Sequence, residues 1–145
     1  MTTTDYEFAL DMRMRMARAD VVRPLTGREV ALAVGNALDE DAEARLDLSG
    51  MKRIVIDPRN RTARIQPGVS TRELEDAAAP HGLAPLVDHR GAVVAANLIA
   101  AQVVFPGGEL VNADDALLRE IRTAHAVGIV VDATYRLHPA GDLLC

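Results

Sequence analysis

The segment 53–82 constrains the fold more than any other part of the chain, because its strand and turn signals follow one another in a fixed order. Residues 53–57 form a β-rich run, 58–61 contain Pro and Asn, and 62–66 alternate between apolar and polar side chains. Two such runs joined by a short turn predict a β-hairpin.

A helix is predicted directly after this hairpin. Pro67-Gly68 ends the second strand, and Ser70 is followed three residues later by Glu73. This spacing is typical of a capping box, in which each of the two residues satisfies a backbone N–H of the other. The predicted buried stripe of the helix consists of Leu74, Ala77 and Ala78, and the Pro-His-Gly sequence at 80–82 ends it.

The second half of the chain predicts another hairpin. Residues 97–104 read as a strand, Pro106-Gly107-Gly108 as its turn and 109–112 as the returning strand. Asn112 or Asp115 can then cap a short helix. This helix carries Leu117, Leu118 and Ile121.

The two ends of this pattern are also strands. A last strand over 128–137 places Val131, Ala133, Tyr135 and Leu137 on one face, and residues 46–48 form a short alternating strand before the turn Ser49-Gly50. The fold class predicted from these elements is α+β, with β-hairpins and short packing helices.

Two segments near the N-terminus are less decisive. The apolar run 30–34 is compatible with a buried strand or with the middle of a helix, since a short run does not distinguish them. Residues 5–19 read as an amphipathic helix that packs on the domain, and their mixed charge argues against a membrane-surface helix. The carboxylates of 39–43 form a predicted solvated face.

Composition narrows the class of protein. The chain has 145 residues, which fits a single domain over 1–145. It has a net charge of −5, which disfavours nucleic-acid binding. It contains no apolar run of the roughly 20 residues that span a membrane. Its only cysteine is Cys145, so we expect a cytoplasmic location, and its four histidines lack metal-ligand spacing.

The order of the segments resembles that of the FAD-linked oxidases, the vanillyl-alcohol-oxidase and berberine-bridge-enzyme-like flavoenzymes with a PCMH-type FAD-binding domain. The first similar block, 46–87, contains "DLSGM" and "RIVIDPRNRTARIQPGVSTRELEDAAAPHGLAPLV". The second, 97–141, contains "NLIAAQVVFPGGELV" and "VGIVVDATYRLHPAG". The chain is therefore expected to be a shortened copy of that domain.

This resemblance implies two α+β subdomains with FAD between them. It also implies that flavin chemistry oxidises a small organic substrate. The positions that match the family's cofactor contacts are Gly68, Val69, Pro85, Gly128, Ile129 and Val130. No catalytic residue and no metal ligand is predicted.

Three departures from the family pattern weaken the expected FAD binding. Where the family has an "R-G-G-G-H" loop, this chain has only Val34-Gly35-Asn36, and the absence of any histidine before His81 excludes the family's covalent flavin link. The second glycine-rich loop is reduced to 88–96 with the single Gly91. The glycines before the last strand are replaced by 122–126, where His125 is the one histidine that merits a test.

Two functions follow from this pattern. The first is an FAD-linked oxidoreductase-type FAD-binding domain that is incomplete, inactive alone and a weak binder of FAD at best. The alternative is a flavin-free remnant that acts as a binding or assembly module. Apolar surface left uncovered would favour a homodimer under either reading.

Overall fold

The computed structural model describes residues 21–41, 45–125 and 128–143. The predicted helix 5–19 lies outside these residues. The strands are β1 (Val21–Val22), β2 (Arg45–Leu46), β3 (Ile54–Asp57), β4 (Thr62–Ile65), β5 (Leu83–Ala84), β6 (Leu98–Val104), β7 (Leu110–Asn112), β8 (Ile129–Arg136) and β9 (His138–Pro139). The helices are α1 (Gly27–Asp39), α2 (Thr71–Ala78) and α3 (Asp115–Arg122), with short 3-10 turns at Ala79–His81, Ala95–Asn97 and Ala140–Leu143. The α+β class is confirmed.

A five-stranded antiparallel sheet in the order β3-β4-β8-β6-β7 forms the centre of the fold. Both predicted hairpins are present, since β3 pairs with β4 from Ile54↔Ile65 to Asp57↔Thr62, and β6 pairs with β7. The register between β6 and β8 shifts next to Val103, so Val131 bulges out of the ladder. Such a bulge turns the adjacent side chains of Val131 and Asp132 toward the same face of the sheet.

Helix α2 confirms the predicted capping box. The Ser70 hydroxyl accepts a hydrogen bond from the Glu73 backbone N–H at 3.1 Å, and the Ser70 N–H donates to the Glu73 carboxylate at 3.1 Å. Leu74 and Ala78 are fully buried, while Ala77 of the predicted stripe is only half-buried. The helix packs on one face of the sheet, in a cluster with Ala63, Leu83 and Leu137.

Helix α3 covers the same face further along. Its buried Leu118 packs with Leu98, Ala101 and Ala133. The cap differs from the sequence prediction, because Asp114, rather than Asn112 or Asp115, accepts the Leu117 N–H at 2.8 Å. Asp114 has the extended backbone of an N-cap, whereas Asp115 already lies in the first turn.

Helix α1 packs on the opposite face of the sheet. The run 30–34 lies within it, so this run is helical and not a strand. Its Val30 is buried with Val104 and Val131 from the sheet and with Met51. The helix begins because Thr26 accepts the Glu29 N–H at 3.2 Å while the Glu29 carboxylate accepts the Leu25 N–H at 2.9 Å.

The remaining strands are short. Strand β2 pairs in parallel with β1 and covers Arg45–Leu46. Of the predicted strand 46–48 it therefore contains only Leu46, because the Asp47 carboxylate accepts the Ser49 N–H at 3.0 Å and the chain turns there. Strand β5 pairs with β9, which joins the Gly82 turn to the segment after Leu137. The last strand of the sheet begins at Ile129, not Gly128.

Candidate cofactor site

A cavity of about 330 Å³ lies between the start of α1 and the sheet face that α2 and α3 leave uncovered. It lies beside the contact that α1 makes with the sheet through Val30, Val104 and Val131. Its volume is at the lower end of ordinary ligand pockets. The lining residues are Thr26, Gly27, Arg53, Val55, Arg64, Gln66, Gln102, Val131 and Asp132.

Polar contacts hold the floor of this cavity. The Arg64 Nε donates to both carboxylate oxygens of Asp132 at 2.8 Å, and the Asp132 side chain is only 17% exposed. Gln66 accepts the Arg53 N–H and donates to the Leu25 carbonyl, both at 2.9 Å, so it connects the end of β4 to the segment that precedes α1. These contacts hold the side chains in place. Because Arg64 and Asp132 pair with each other, their charges are mutually neutralised.

Sequence reasoning missed these lining residues. The alternation in 62–66 already placed Arg64 and Gln66 opposite to Ala63 and Ile65, which was a usable signal. The pairing of Arg64 with Asp132 joins residues 68 positions apart, and no local pattern predicts it.

Gly68, the first predicted cofactor residue, is enclosed by its own chain. A Cβ at this position would lie 2.7 Å from the carbonyl oxygens of both Leu48 and Ser49, and the Gly68 N–H donates to the Met51 carbonyl at 2.8 Å. The neighbouring Val69 donates its N–H to the Gln66 carbonyl at 3.1 Å. Glycine is therefore needed here for close packing, and neither N–H is available to a phosphate.

The other predicted residues lie apart from the cavity. Pro85 is buried and has no backbone N–H. Gly128 is half-buried, and a Cβ there would lie 2.6 Å from the Val104 carbonyl oxygen. Ile129 and Val130 pair with β6 on one edge, while β4 pairs with β8 only from Ala133 onward. Among the described strands their second edge has no partner, so backbone groups there could face a ligand, but none of the six predicted residues lines the cavity.

The loop that follows Pro85 uses its backbone donors internally. The Asp88 carboxylate accepts the N–H groups of Arg90 and Ala92 at 2.8 and 3.1 Å, and the Asp88 carbonyl accepts the Gly91 N–H at 3.1 Å. Three successive donors are therefore directed at one residue of the chain itself.

The segment that replaces the third glycine run is also engaged. Arg122 donates its Nε to the Leu98 carbonyl at 2.9 Å, and the His125 N–H donates to the Glu120 carbonyl at 2.9 Å. His125 is exposed, and its Nδ1 lies 3.1 Å from the Thr123 hydroxyl. Ala124 adopts a φ of 60°, a left-handed conformation that favours glycine. These residues close the end of α3.

The residues that stand in place of the first glycine-rich loop belong to a helix. Val34, Gly35 and Asn36 lie inside α1. Helical N–H groups bond within the helix and cannot bind phosphate. The residues at the three expected positions therefore do not fit a diphosphate.

Two features are absent from the described residues. No group of three or more His, Cys, Asp or Glu side chains in these ranges is arranged to hold a metal ion. No helix among them is long and apolar enough to cross a bilayer.

Solved structures with the same fold include bacterial and plant proteins. 6-Hydroxy-D-nicotine oxidase from Arthrobacter nicotinovorans is 22% identical with a TM-score of 0.69, over 82% of this chain and 36% of its own. Phl p 4, a grass pollen allergen with glucose dehydrogenase activity, is 18% identical with a TM-score of 0.71, over 82% of this chain and 35% of its own. A variant of berberine bridge enzyme is 15% identical with a TM-score of 0.72, over 82% and 34%.

The chain spans about a third of the length of these solved proteins. A search of curated protein sequences gave no match. The sequence family described as the FAD binding domain matches residues 14–92, which is more than half of the chain. The chain therefore belongs to the FAD binding domain family.

Proposed function

We propose that residues 1–145 form one FAD-binding domain of an FAD-linked oxidoreductase and that this chain is not a complete catalyst by itself. The observation that carries the proposal is the extent of the family match, which runs through α1, the β3–β4 hairpin and α2 and so reaches both sides of the cavity. Two of the solved proteins with this fold are an oxidase and a glucose dehydrogenase, and the chain covers only about a third of each. A substrate site would therefore need residues that this chain does not supply.

We infer that the chain binds FAD weakly or not at all. A diphosphate needs several preformed backbone donors, because its lost hydration must be replaced. Gly68 and Val69 donate to carbonyls of their own chain, and the donors of the loop after Pro85 are directed at Asp88. The edge of Ile129 and Val130 is left to contact the cofactor, and it offers few donors.

The colour of the purified protein tests this proposal. We expect a colourless preparation that acquires a visible flavin absorption band in the presence of excess FAD and loses it on gel filtration. A band that persists through gel filtration would contradict weak binding. An absence of any spectral or fluorescence change with excess FAD would remove the flavin function itself.

A flavin-free binding or assembly module is the second candidate, and exposed leucines favour it. Leu25 is 59% exposed, Leu32 63% and Leu38 59%, all in or next to α1. Uncovered apolar surface marks association where it forms a contiguous patch. We propose a homodimer through this surface. The lone cysteine supports the further proposal of a reducing, cytoplasmic location.

A further inference from the structure

The turn 88–92 has the geometry of an anion-binding site with the anion supplied by the chain. Successive backbone N–H groups that converge on one point form a concavity that binds anions. Here the Arg90 and Ala92 N–H groups converge on the Oδ1 atom of Asp88 at 2.8 and 3.1 Å. Gly91 has a φ of 82°, the left-handed conformation that such a concavity requires.

The turn is sterically open to a ligand. Residues 88–92 are all exposed, and a Cβ built on Gly91 would meet no atom within 4 Å. A phosphate oxygen would therefore find space beside these donors. An incoming phosphate would have to displace the Asp88 carboxylate, a negative charge held by the same backbone donors, and then lie beside it.

The backbone of the turn does not depend on this side chain. The Asp88 N–H donates to the Ala92 carbonyl at 2.8 Å, and the Val94 N–H donates to the Leu86 carbonyl at 2.9 Å. Val87 and Val93 form a β-bridge across its base. Removal of the carboxylate should therefore free two N–H groups without opening the turn.

We propose that the Asp88 carboxylate occupies the phosphate position of this turn and sets the low affinity of the chain for diphosphate ligands. The inference rests on the proposed function only where the ligand is FAD; for pyrophosphate it stands alone. Asp88 is a specificity-determining residue in this account. Removal of its carboxylate leaves the concavity open to a phosphate group.

The test compares Asp88→Ala and Asp88→Asn with the unaltered chain by calorimetric titration with inorganic pyrophosphate and, separately, with FAD. Asp57→Ala is the matched control. The Asp57 carboxylate also accepts a turn N–H, that of Asn60 at 3.2 Å, and its removal changes the net charge equally. We expect Asp88→Ala to bind pyrophosphate at least tenfold more tightly than the control and the unaltered chain. Asp88→Asn keeps an acceptor without the charge, so its affinity for pyrophosphate should rise severalfold.

The results separate the two proposals. If Asp88→Ala binds neither ligand more tightly than Asp57→Ala, the role of Asp88 is overturned, whether or not the unaltered chain binds FAD weakly. If the affinity of Asp88→Ala for pyrophosphate increases but no variant binds FAD, the role of Asp88 stands and the flavin function fails. If Asp88→Ala does not fold by circular dichroism, Asp88→Asn decides, and an unchanged pyrophosphate affinity in that variant overturns the proposal.

Discussion

At the scale of single residues, the glycines that match the family's cofactor positions are explained by packing within this chain. Gly68 lies against three carbonyl oxygens of the turn 48–51, and Gly128 lies against Val104. The sequence indicated where glycine was required but not which group lies close to it. Glycine is required whether that group is a backbone carbonyl or a ligand, so the residue type alone does not distinguish the two. Only the three-dimensional contacts distinguish the two.

The contrast between Gly68 and Gly35 gives a prediction for stability. In Gly68→Ala the added methyl group would lie 2.7 Å from two backbone carbonyl oxygens, which cannot easily move. We expect a loss of about 1–3 kcal/mol in the free energy of unfolding. Gly35→Ala is the control, since its Cβ meets nothing within 4 Å inside a helix, and it should gain about 1 kcal/mol. Thermal or urea unfolding measures both, and a Gly68→Ala variant as stable as Gly35→Ala would contradict the packing argument.

At the scale of elements, the hairpin 53–66 and the capping box of α2 were predictable because their signals are local and adjacent. Helix α1 carried a similar signal in Thr26 and Glu29, three residues apart, which outweighs the ambiguous run 30–34. The parallel pairing of β1 with β2 and the placement of β8 between β4 and β6 were not predictable. Both depend on contacts between residues far apart in sequence.

The α2 cap also predicts how stability depends on pH. Hydrogen bonds from the Ser70 backbone and side chain, with the Lys52 ammonium at 3.3 Å, hold the pKa of Glu73 below its usual value. A carboxyl group with a lowered pKa in the folded state stabilises the fold above its unfolded pKa, and this contribution is lost as the pH falls through the folded pKa. The pKa of Asp57 is lowered in the same direction by the Asn60 N–H.

We therefore expect the thermal midpoint to fall between neutral pH and about pH 3, since the unfolded chain takes up protons in that range more readily than these carboxylates do in the folded chain. Glu73→Gln keeps an acceptor for the Ser70 N–H but does not titrate, so its midpoint should fall less over the same range. Thermal unfolding followed by circular dichroism at both pH values measures the difference. Parallel pH dependence in the two proteins would show that the Glu73 charge does not contribute.

At the scale of the whole molecule, the exposed leucines predict self-association. We expect light scattering to give a dimer, and the double variant Leu32→Glu/Leu38→Glu to give a monomer, because buried charges without partners are costly at an interface. Leu86→Glu, at a position 37% exposed in the loop before Asp88, is the control that should stay dimeric. A monomer for the unaltered chain at high concentration would contradict the proposed dimer.

The central claim for the whole molecule is that the chain has the fold and family of an FAD-binding domain, while the described residues at the expected positions offer too few free backbone donors for a diphosphate. Family membership follows from the match over 14–92, while the state of the donors follows from Gly68, Asp88 and α1. Each hydrogen bond to a charged group contributes about 1.5–3 kcal/mol. The loss of three or four would remove about 5–12 kcal/mol of the roughly 12 kcal/mol of a nanomolar complex.

Calorimetric titration of the purified, flavin-free chain with FAD tests this claim most directly. We predict a dissociation constant of about 10 μM or weaker, because too few backbone donors remain for the diphosphate. A dissociation constant below about 1 μM would contradict the account, since it would require a diphosphate cradle among residues that donate their N–H groups elsewhere.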